Sequence, residues 1–164
     1  THLMPLFRIS GFEEISPHET WIEVPEFGEV SSVRLTFSTP LRLQENGRPL
    51  LPEEISAPKL LKALIRRTAL LMVFHGGETL DLPFQELSDL CATSAVASNN
   101  LIWFNWKRYS SRQHQIMNFG GNVGTLELHG VTGVLMSFLY IGQWVHVGKN
   151  ATFGLGQYQL ERTG

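Results

Sequence analysis

One long amphipathic pattern, set between patterns of alternating residues, limits the folds open to this chain more than any other feature. Apolar residues recur at helical spacing over residues 57–75, with Ser56 as a candidate N-cap and two glycines following as a stop. Upstream, Val33, Leu35 and Phe37 alternate with polar residues, which is typical of a half-buried strand. A strand followed by a long helix is consistent with the α+β class to which the later elements point.

The second half of the chain adds two strands, a helix and a last strand. Residues 101–106 are rich in aromatic and β-branched side chains, and residues 120–129 are their predicted partner strand. Thr132 can cap a buried helix that ends at Gly142, and residues 158–160 form the last strand. The order strand, helix, strand, strand, helix, strand predicts a ferredoxin-like βαββαβ fold, with an antiparallel sheet and two helices on one face.

Shorter segments complete the predicted organisation. Asn46 and Gly47 indicate the turn of a small β-hairpin, residues 84–91 a short helix, and the small polar residues 92–100 a loop. We interpret residues 1–32 as a connector, as appended strands, or as the end of a preceding domain. Residues 33–164 then form the ferredoxin-like domain.

Composition excludes several classes of protein. The 164 residues fit one domain, and a hydrophobic content of 43% is too high for a disordered chain. No apolar run is long enough to cross a membrane, and no secretory signal is visible, so we expect no membrane partner. The single cysteine, Cys91, cannot form an internal disulfide, which is consistent with a cytoplasmic protein.

Charge is distributed unevenly along the chain. The formal net charge is -2, but residues 1–32 contain one arginine and six glutamates, whereas residues 101–164 contain five basic and two acidic residues. A local basic patch, rather than whole-chain charge, attracts phosphates. The alternative is that five basic residues against two is an ordinary fluctuation.

A glycine-rich loop, defined here as residues 148–156, stands out near the C-terminus. It contains Gly148, Gly154 and Gly156 together with Lys149 and Asn150. Glycines allow another backbone or a phosphate to come close, and the amide groups of such a loop can surround an anion. It is neither a Walker A loop nor a dinucleotide-binding loop, because the required lysine and helix do not follow it. The alternative is a tight turn with a bulge.

Two other stretches are candidate nucleic-acid surfaces. Residues 107–118 read as a hairpin tip with cations and amides suited to phosphate and sugar contacts, and Tyr109 and His114 can stack on bases. The alternative is a long solvated hairpin. The polar side of the long helix is also basic, which suits RNA or, alternatively, a solvated helix face. The candidate cations are Lys107, Arg108 and Arg112 in the hairpin and Lys59, Lys62, Arg66 and Arg67 on the helix.

Three stretches, in order, resemble the RAMP superfamily, the repeat-associated RNA-binding proteins of CRISPR systems. Residues 35–43 resemble that family's strand leading into a Thr-Pro-Leu-Arg turn. Residues 108–113, with the glycines of 120–124, resemble its central hairpin, and residues 148–156 resemble its C-terminal glycine-rich loop. More narrowly, the set resembles the C-terminal domain of the CRISPR-associated endoribonuclease that processes the repeat transcript.

This resemblance implies a function and a set of site residues. The family cuts CRISPR repeat RNA without metal and leaves a 2′,3′-cyclic phosphate. We therefore expect repeat RNA as a partner, other CRISPR-associated proteins as further partners, and no cofactor. The implied RNA-binding residues are Lys107, Arg108, Arg112, His114, Gly148, Lys149, Asn150, Gly154 and Gly156.

The residues give little indication of catalytic chemistry. The six histidines are scattered, and the last third has only Glu127 and Glu161 as carboxylates, which is too few for a two-metal nuclease. A metal-free ribonuclease needs a general base, a general acid and a cation. His114 is the candidate histidine near RNA, but the family's catalytic histidine usually lies in a preceding domain, so the catalytic residues stay unknown.

Three hypotheses remain open from sequence. The chain is the C-terminal RNA-binding domain of a CRISPR repeat endoribonuclease, a RAMP subunit that binds RNA without cutting it, or a ferredoxin-like domain unrelated to RNA. Ferredoxin-like RNA-recognition domains with an RNP motif are disfavoured, because that motif is not found.

Overall fold

The computed structural model of the chain describes residues 22–28, 32–76, 82–110 and 114–163. Its longest helix, Ala57–Gly76, coincides with the helical apolar spacing, and its first strand coincides with the alternating pattern of Val33, Leu35 and Phe37. The strands and α-helices, in chain order, are β1 (Ser32–Leu41), β2 (Gln44–Glu45), β3 (Arg48–Pro49), α1 (Ala57–Gly76), α2 (Phe84–Thr93), β4 (Ala95–Phe104), β5 (Lys107–Ser110), β6 (Gln115–Asn118), β7 (Gly121–His129), α3 (Gly133–Val145) and β8 (Tyr158–Arg162).

Four strands form one antiparallel sheet in the order β4-β7-β1-β8. In β1, Leu35 pairs with Leu126 on one side and with Leu160 on the other. The first and last strands of the domain are therefore neighbours, and the β4–β7 hairpin lies beside β1. With α1 before β4 and α3 before β8, this arrangement confirms the predicted ferredoxin-like fold.

The core lies between one face of the sheet and the helices. Val33, Leu35 and Phe37 are buried, as their alternation predicts, and they pack in one cluster with leucines of α1 and α3. The buried Tyr158 hydroxyl donates to the Leu139 carbonyl at 2.7 Å and joins β8 to α3. Burial also raises the pKa of Tyr158. On the other face, Arg34 pairs with Glu127 at 2.7 Å.

Three sequence-based boundaries were wrong. Residues 92–100 are not a loop, because β4 begins at Ala95, which pairs with His129 of β7. The strand ends at Phe104 rather than at residue 106. Small polar residues are tolerated here because β4 is an edge strand with an exposed face. The helix α3 also runs past Gly142 to Val145, and the Thr132 hydroxyl caps its start as predicted.

Residues 22–28 have no regular secondary structure, and all of them except Phe27 are exposed. Phe27 is part of the packing around the core, and its ring centroid is 5.7 Å from that of Tyr140. The division of the chain at residue 32 stays a prediction. No helix in the described part of the chain has the length and hydrophobicity needed to cross a membrane.

Candidate nucleic-acid interface

The glycine-rich loop is docked on the C-terminal end of β1. The Lys149 amide donates to the Arg42 carbonyl at 2.8 Å, and the Gly156 amide donates to the Pro40 carbonyl at 3.0 Å. The two ends of the loop also meet, since the Val147 amide donates to the Gly156 carbonyl at 3.1 Å. The loop is therefore closed on itself and fixed to the sheet.

Two of its glycines are required by close approach of the protein's own backbone. A Cβ on Gly148 would lie 2.7 Å from the Arg42 carbonyl oxygen, and a Cβ on Gly156 would overlap the Val147 carbonyl oxygen. Both residues also have positive φ, at 94° and 71°. Their glycine identity is thus explained by folding, which supports the simpler interpretation for these two positions.

Many of the loop's backbone amide groups already donate hydrogen bonds to carbonyls of the protein. Besides Lys149 and Gly156, the Phe153 amide donates to the Asn150 carbonyl at 2.9 Å, and the Gly154 amide to the Ala151 carbonyl at 3.0 Å. These donors close a short 3₁₀ turn. The outward contribution of the loop that is clearest in the structure is the exposed charged side chain of Lys149.

The Thr-Pro-Leu-Arg turn fixes the other end of the loop. The Thr39 hydroxyl donates to the Gly154 carbonyl at 2.8 Å and accepts from the Gln157 amide at 2.8 Å. Because one hydroxyl bridges both segments, the first and third stretches that resemble RAMP proteins form a single structural unit.

The second stretch joins the same unit through aromatic rings. The hairpin β5–β6 extends the β4–β7 hairpin, and the Phe119 amide donates to the Trp106 carbonyl at 2.7 Å. The Phe119 ring lies 5.6 Å from Trp106 and 5.6 Å from Phe153 of the glycine-rich loop. Arg42 adds a hydrogen bond of 2.8 Å to the Gly120 carbonyl. The base of the hairpin and the loop therefore form one continuous surface.

The predicted hairpin residues are only partly described. Lys107 and His114 are exposed on β5 and at the turn before β6. The side chain of Arg108 and all of Arg112 lie outside the described part of the chain. His114 has a φ of 49°, and its Nδ1 atom is 3.3 Å from the Tyr109 hydroxyl oxygen.

Some contributing residues were missed from sequence. Arg42 was noted as part of a turn, but its guanidinium contacts the carbonyls of both Asn118 and Gly120. Phe153 was not proposed, although it is the ring through which the loop contacts the hairpin. The Thr-Pro-Leu-Arg stretch contained the signal for Arg42; no local pattern pointed to Phe153.

A histidine and an arginine meet beneath the loop. The Arg67 Nε donates to the Val145 carbonyl at 2.6 Å, and burial lowers the pKa of Arg67. Burial, and next the positive charge of Arg67, lower the pKa of His146. His146 is thus a packed residue of the α3 C-terminus and is disfavoured as a cation for RNA.

Metal ligands do not gather among the described residues. No three histidine, cysteine, aspartate or glutamate side chains there come close enough to hold an ion. The expectation of metal-free chemistry stays a prediction, as do the RNA-binding roles of the individual site residues.

The fold and the docked loop define a RAMP-type ferredoxin-like domain. The sequence profile described as CRISPR-associated endoribonuclease Cas6 matches residues 35–158, which include all three resembling stretches. Because the match covers well over half of the chain, the chain belongs to the Cas6 family. No protein with a curated description matches the chain.

Solved structures share the fold at low sequence identity. A Cas6 product complex matches with a TM-score of 0.55 and 20% identity, over 81% of this chain and 52% of that chain. A Thermus thermophilus Cas6 matches with a TM-score of 0.55 and 16% identity, over 81% and 54%. A partial Cas6-RT-Cas1–Cas2 complex matches with a TM-score of 0.57 and 18% identity, over 82% and 23%. This chain spans about half the length of the Cas6 chains it matches.

Proposed function

We propose that the chain is the C-terminal RNA-binding part of a CRISPR-associated, metal-independent endoribonuclease that cleaves repeat transcripts into guide RNAs. The observation that carries this proposal is the single surface formed by the β5–β6 hairpin and the glycine-rich loop. The rings of Trp106, Phe119 and Phe153 hold the two elements together, and Lys107 and Lys149 are exposed on them. Membership of the Cas6 family supports the assignment of this surface to repeat RNA.

The roles within the proposed site differ. Lys149 and Lys107 contact phosphates, and the remaining cations of the hairpin tip extend that contact. Gly148 and Gly156 act indirectly, by letting the loop dock so that Lys149 faces outward. His114 and Tyr109, which lie within 3.3 Å of each other, contact or stack on the RNA. We place the catalytic residues in the half of the Cas6 chains that this chain does not span.

The proposal includes a cellular setting. CRISPR repeat RNA is the primary partner, and cytoplasm is the compartment in which such transcripts would be bound. One similar structure is titled as a Cas6-RT-Cas1–Cas2 complex. We therefore include other CRISPR-associated proteins among the proposed partners.

Binding to a labelled CRISPR repeat RNA tests the proposal directly. We expect this chain to bind the repeat more tightly than a scrambled RNA in EDTA, and more weakly as salt is raised, because phosphate contacts release counterions. The same samples on a denaturing gel report cleavage, and the full-length gene product is expected to cut where this chain alone does not. Binding without cleavage by the full-length product would support a non-cutting RAMP subunit instead. Absence of binding at low salt would contradict the RNA assignment.

Lys149→Ala tests the loop within that assay. We expect repeat affinity to fall roughly fivefold, because an exposed charge pair contributes about 1 kcal/mol at most in water. Thermal stability should stay nearly unchanged, since Lys149 is exposed and its backbone amide is retained. Arg162→Ala is the matched control, because Arg162 is an exposed cation at the end of β8, where it pairs with Val33 at the start of β1 and lies away from the loop. Unchanged affinity, or collapsed stability, would make the loop purely structural.

A further inference from the structure

A basic groove of about 890 Å³ lies between α1 and the glycine-rich loop. We define the basic groove by the six cations on its walls. They come from the end of β1, from α1 and from the loop, which are far apart in sequence. They are Arg42, Lys59, Lys62, Arg66, Arg67 and Lys149.

The cations of the basic groove fall into anchored and unpaired groups. Arg42 and Arg67 donate to backbone carbonyls, which holds their guanidinium groups in place. The Lys59 ammonium lies 3.3 Å from the Glu45 carboxylate, the acidic side chain on the groove wall. Within the described residues, no hydrogen bond or ion pair involves the side chains of Lys62, Arg66 or Lys149. Among the described residues that line the groove, six cations thus face one carboxylate, Glu45, which leaves a surplus of positive charge.

The face of α1 that lines the groove changes from basic to apolar along the helix. The stripe of α1 that lines it is basic over its first turns, then turns apolar at Leu70, Leu71 and Phe74. From Lys59 to Phe74 the stripe spans roughly 22 Å at the rise of an α-helix. Phe74 is 75% exposed and Leu70 is 45% exposed. A large aromatic side chain is thus presented to solvent at one end of a line of cations.

We propose that the basic groove holds a single-stranded segment of RNA, with phosphates on Lys62, Arg66 and Lys149 and an unpaired base on Phe74. A duplex buries its bases in its own stack and offers mostly phosphate and sugar, so it would leave the apolar end of the groove unused. A single strand presents both phosphates and ring faces, and aromatic side chains in a positive groove are its usual recognition pattern. Lys149 belongs to both the groove and the loop, so the strand continues from the surface assigned above.

This inference rests on the proposed function but is separable from it. The site assigned above consists of the hairpin and the loop, whereas α1 contributes none of its residues. Substitutions on α1 therefore test the groove while the hairpin and the loop keep their contacts.

Phe74→Ala is the first test, with two fluorescently labelled RNAs. One is an unstructured pyrimidine strand, and the other is the same strand annealed to its complement. We expect Phe74→Ala to weaken binding of the single strand by roughly 5- to 150-fold, the range given by loss of one aromatic–base stack. Duplex binding should be unchanged. Val134→Ala is the matched control, since Val134 is 51% exposed on α3 and does not line the basic groove.

The double variant Lys62→Ala/Arg66→Ala tests the phosphate half of the groove. For single strands, we expect the slope of log affinity against log salt to become shallower by about 1.4, because each lost phosphate contact removes about 0.7. Both side chains are exposed, so circular dichroism spectra and melting temperatures should match those of the unchanged protein. Arg162→Ala should leave the slope as it is.

The outcomes separate the two proposals. If the unchanged chain binds repeat RNA but Phe74→Ala and the double variant bind the single strand as tightly, the groove proposal is overturned and the hairpin and loop assignment stands. An acidic protein partner would then be the remaining use for the groove. If the unchanged chain binds no RNA at low salt, both proposals are overturned. Equal losses for single strand and duplex would contradict the unpaired base on Phe74.

Discussion

The glycine-rich loop has an inward side, which docks on β1, and an outward side, which faces solvent. The two sides have different roles although both contain glycine. On the inward side, a Cβ at Gly148 or Gly156 would meet the protein's own carbonyl oxygens. On the outward side, Lys149 is exposed, and a Cβ at Gly154 would meet no described atom within 4 Å. A motif that looks like one binding element is therefore two: one set of residues docks the loop on β1, and another faces solvent.

The two sides of the loop have different physical requirements. Docking requires close backbone approach and positive φ, which depend only on the fold. Binding requires a charge with no internal partner, as at Lys149. Substitutions that separate the two sides should therefore affect stability and RNA affinity in different proportions.

Gly156→Ala should have the largest effect on stability. The left-handed conformation costs an alanine about 1–2 kcal/mol, and the overlap with the Val147 carbonyl adds about 1–3 kcal/mol. We expect the free energy of unfolding, measured by urea denaturation, to fall by about 2–5 kcal/mol. A variant as stable as the unchanged chain would show that the loop can move away from β1. The close backbone approach at Gly156 would then not be needed for stability.

Thr39→Val should have the next largest effect. It keeps the shape of the side chain but removes the hydroxyl that bridges the Gly154 carbonyl and the Gln157 amide. At about 1 kcal/mol for each bond, we expect a loss of about 2 kcal/mol in urea denaturation. Thr36→Val, on the exposed face of the same strand, is the control and should change stability by less than about 0.5 kcal/mol. Similar losses in both variants would mean that the bridge contributes nothing specific.

The sequence predicts well those helices and strands that have a local pattern of apolar residues. Alternation at Val33, Leu35 and Phe37 identifies β1 because half-burial leaves a two-residue period in any such strand. The helix α1 likewise follows from apolar spacing over its whole length. In contrast, residues 95–100 are small and polar, and only their pairing with β7 makes them a strand. Such pairing is a tertiary property without a local signal.

The candidate surface shows the same limit. Glycines beside a lysine predict a loop with unusual backbone conformations, and this prediction needs only the local sequence. Which glycines face the protein depends on where Arg42 and Val147 lie, and the topology alone brings them to the loop. The meeting of the α1 cations with Lys149 also depends on the order of strands in the sheet. Their charge was visible in sequence, but their convergence was not.

Gly154→Ala should lower stability by less than Gly156→Ala or Thr39→Val. Gly154 has a φ of 87°, so an alanine there is strained by about 1–2 kcal/mol, although no described atom obstructs its Cβ. The smaller entropy of the unfolded chain offsets about 0.4–1 kcal/mol of that cost. We expect a net loss of about 1 kcal/mol in urea denaturation. Gly154→Asn should lose less, because asparagine adopts this conformation more readily. A loss as large as that of Gly156→Ala would erase the distinction between the two sides.

Lys149→Ala should have almost no effect on stability. The salt dependence of its RNA affinity is the measurement that best distinguishes the two sides of the loop. For single-stranded RNA, we expect the slope of log affinity against log salt to become shallower by about 0.7, the value for one phosphate contact. Gly154→Ala changes no charge and should keep the original slope even where its affinity differs. This pair distinguishes loss of a phosphate contact from displacement of the loop, because only the former changes the number of released counterions. An unchanged slope in Lys149→Ala would place its ammonium away from the phosphates, and docking on β1 would then be the loop's main role.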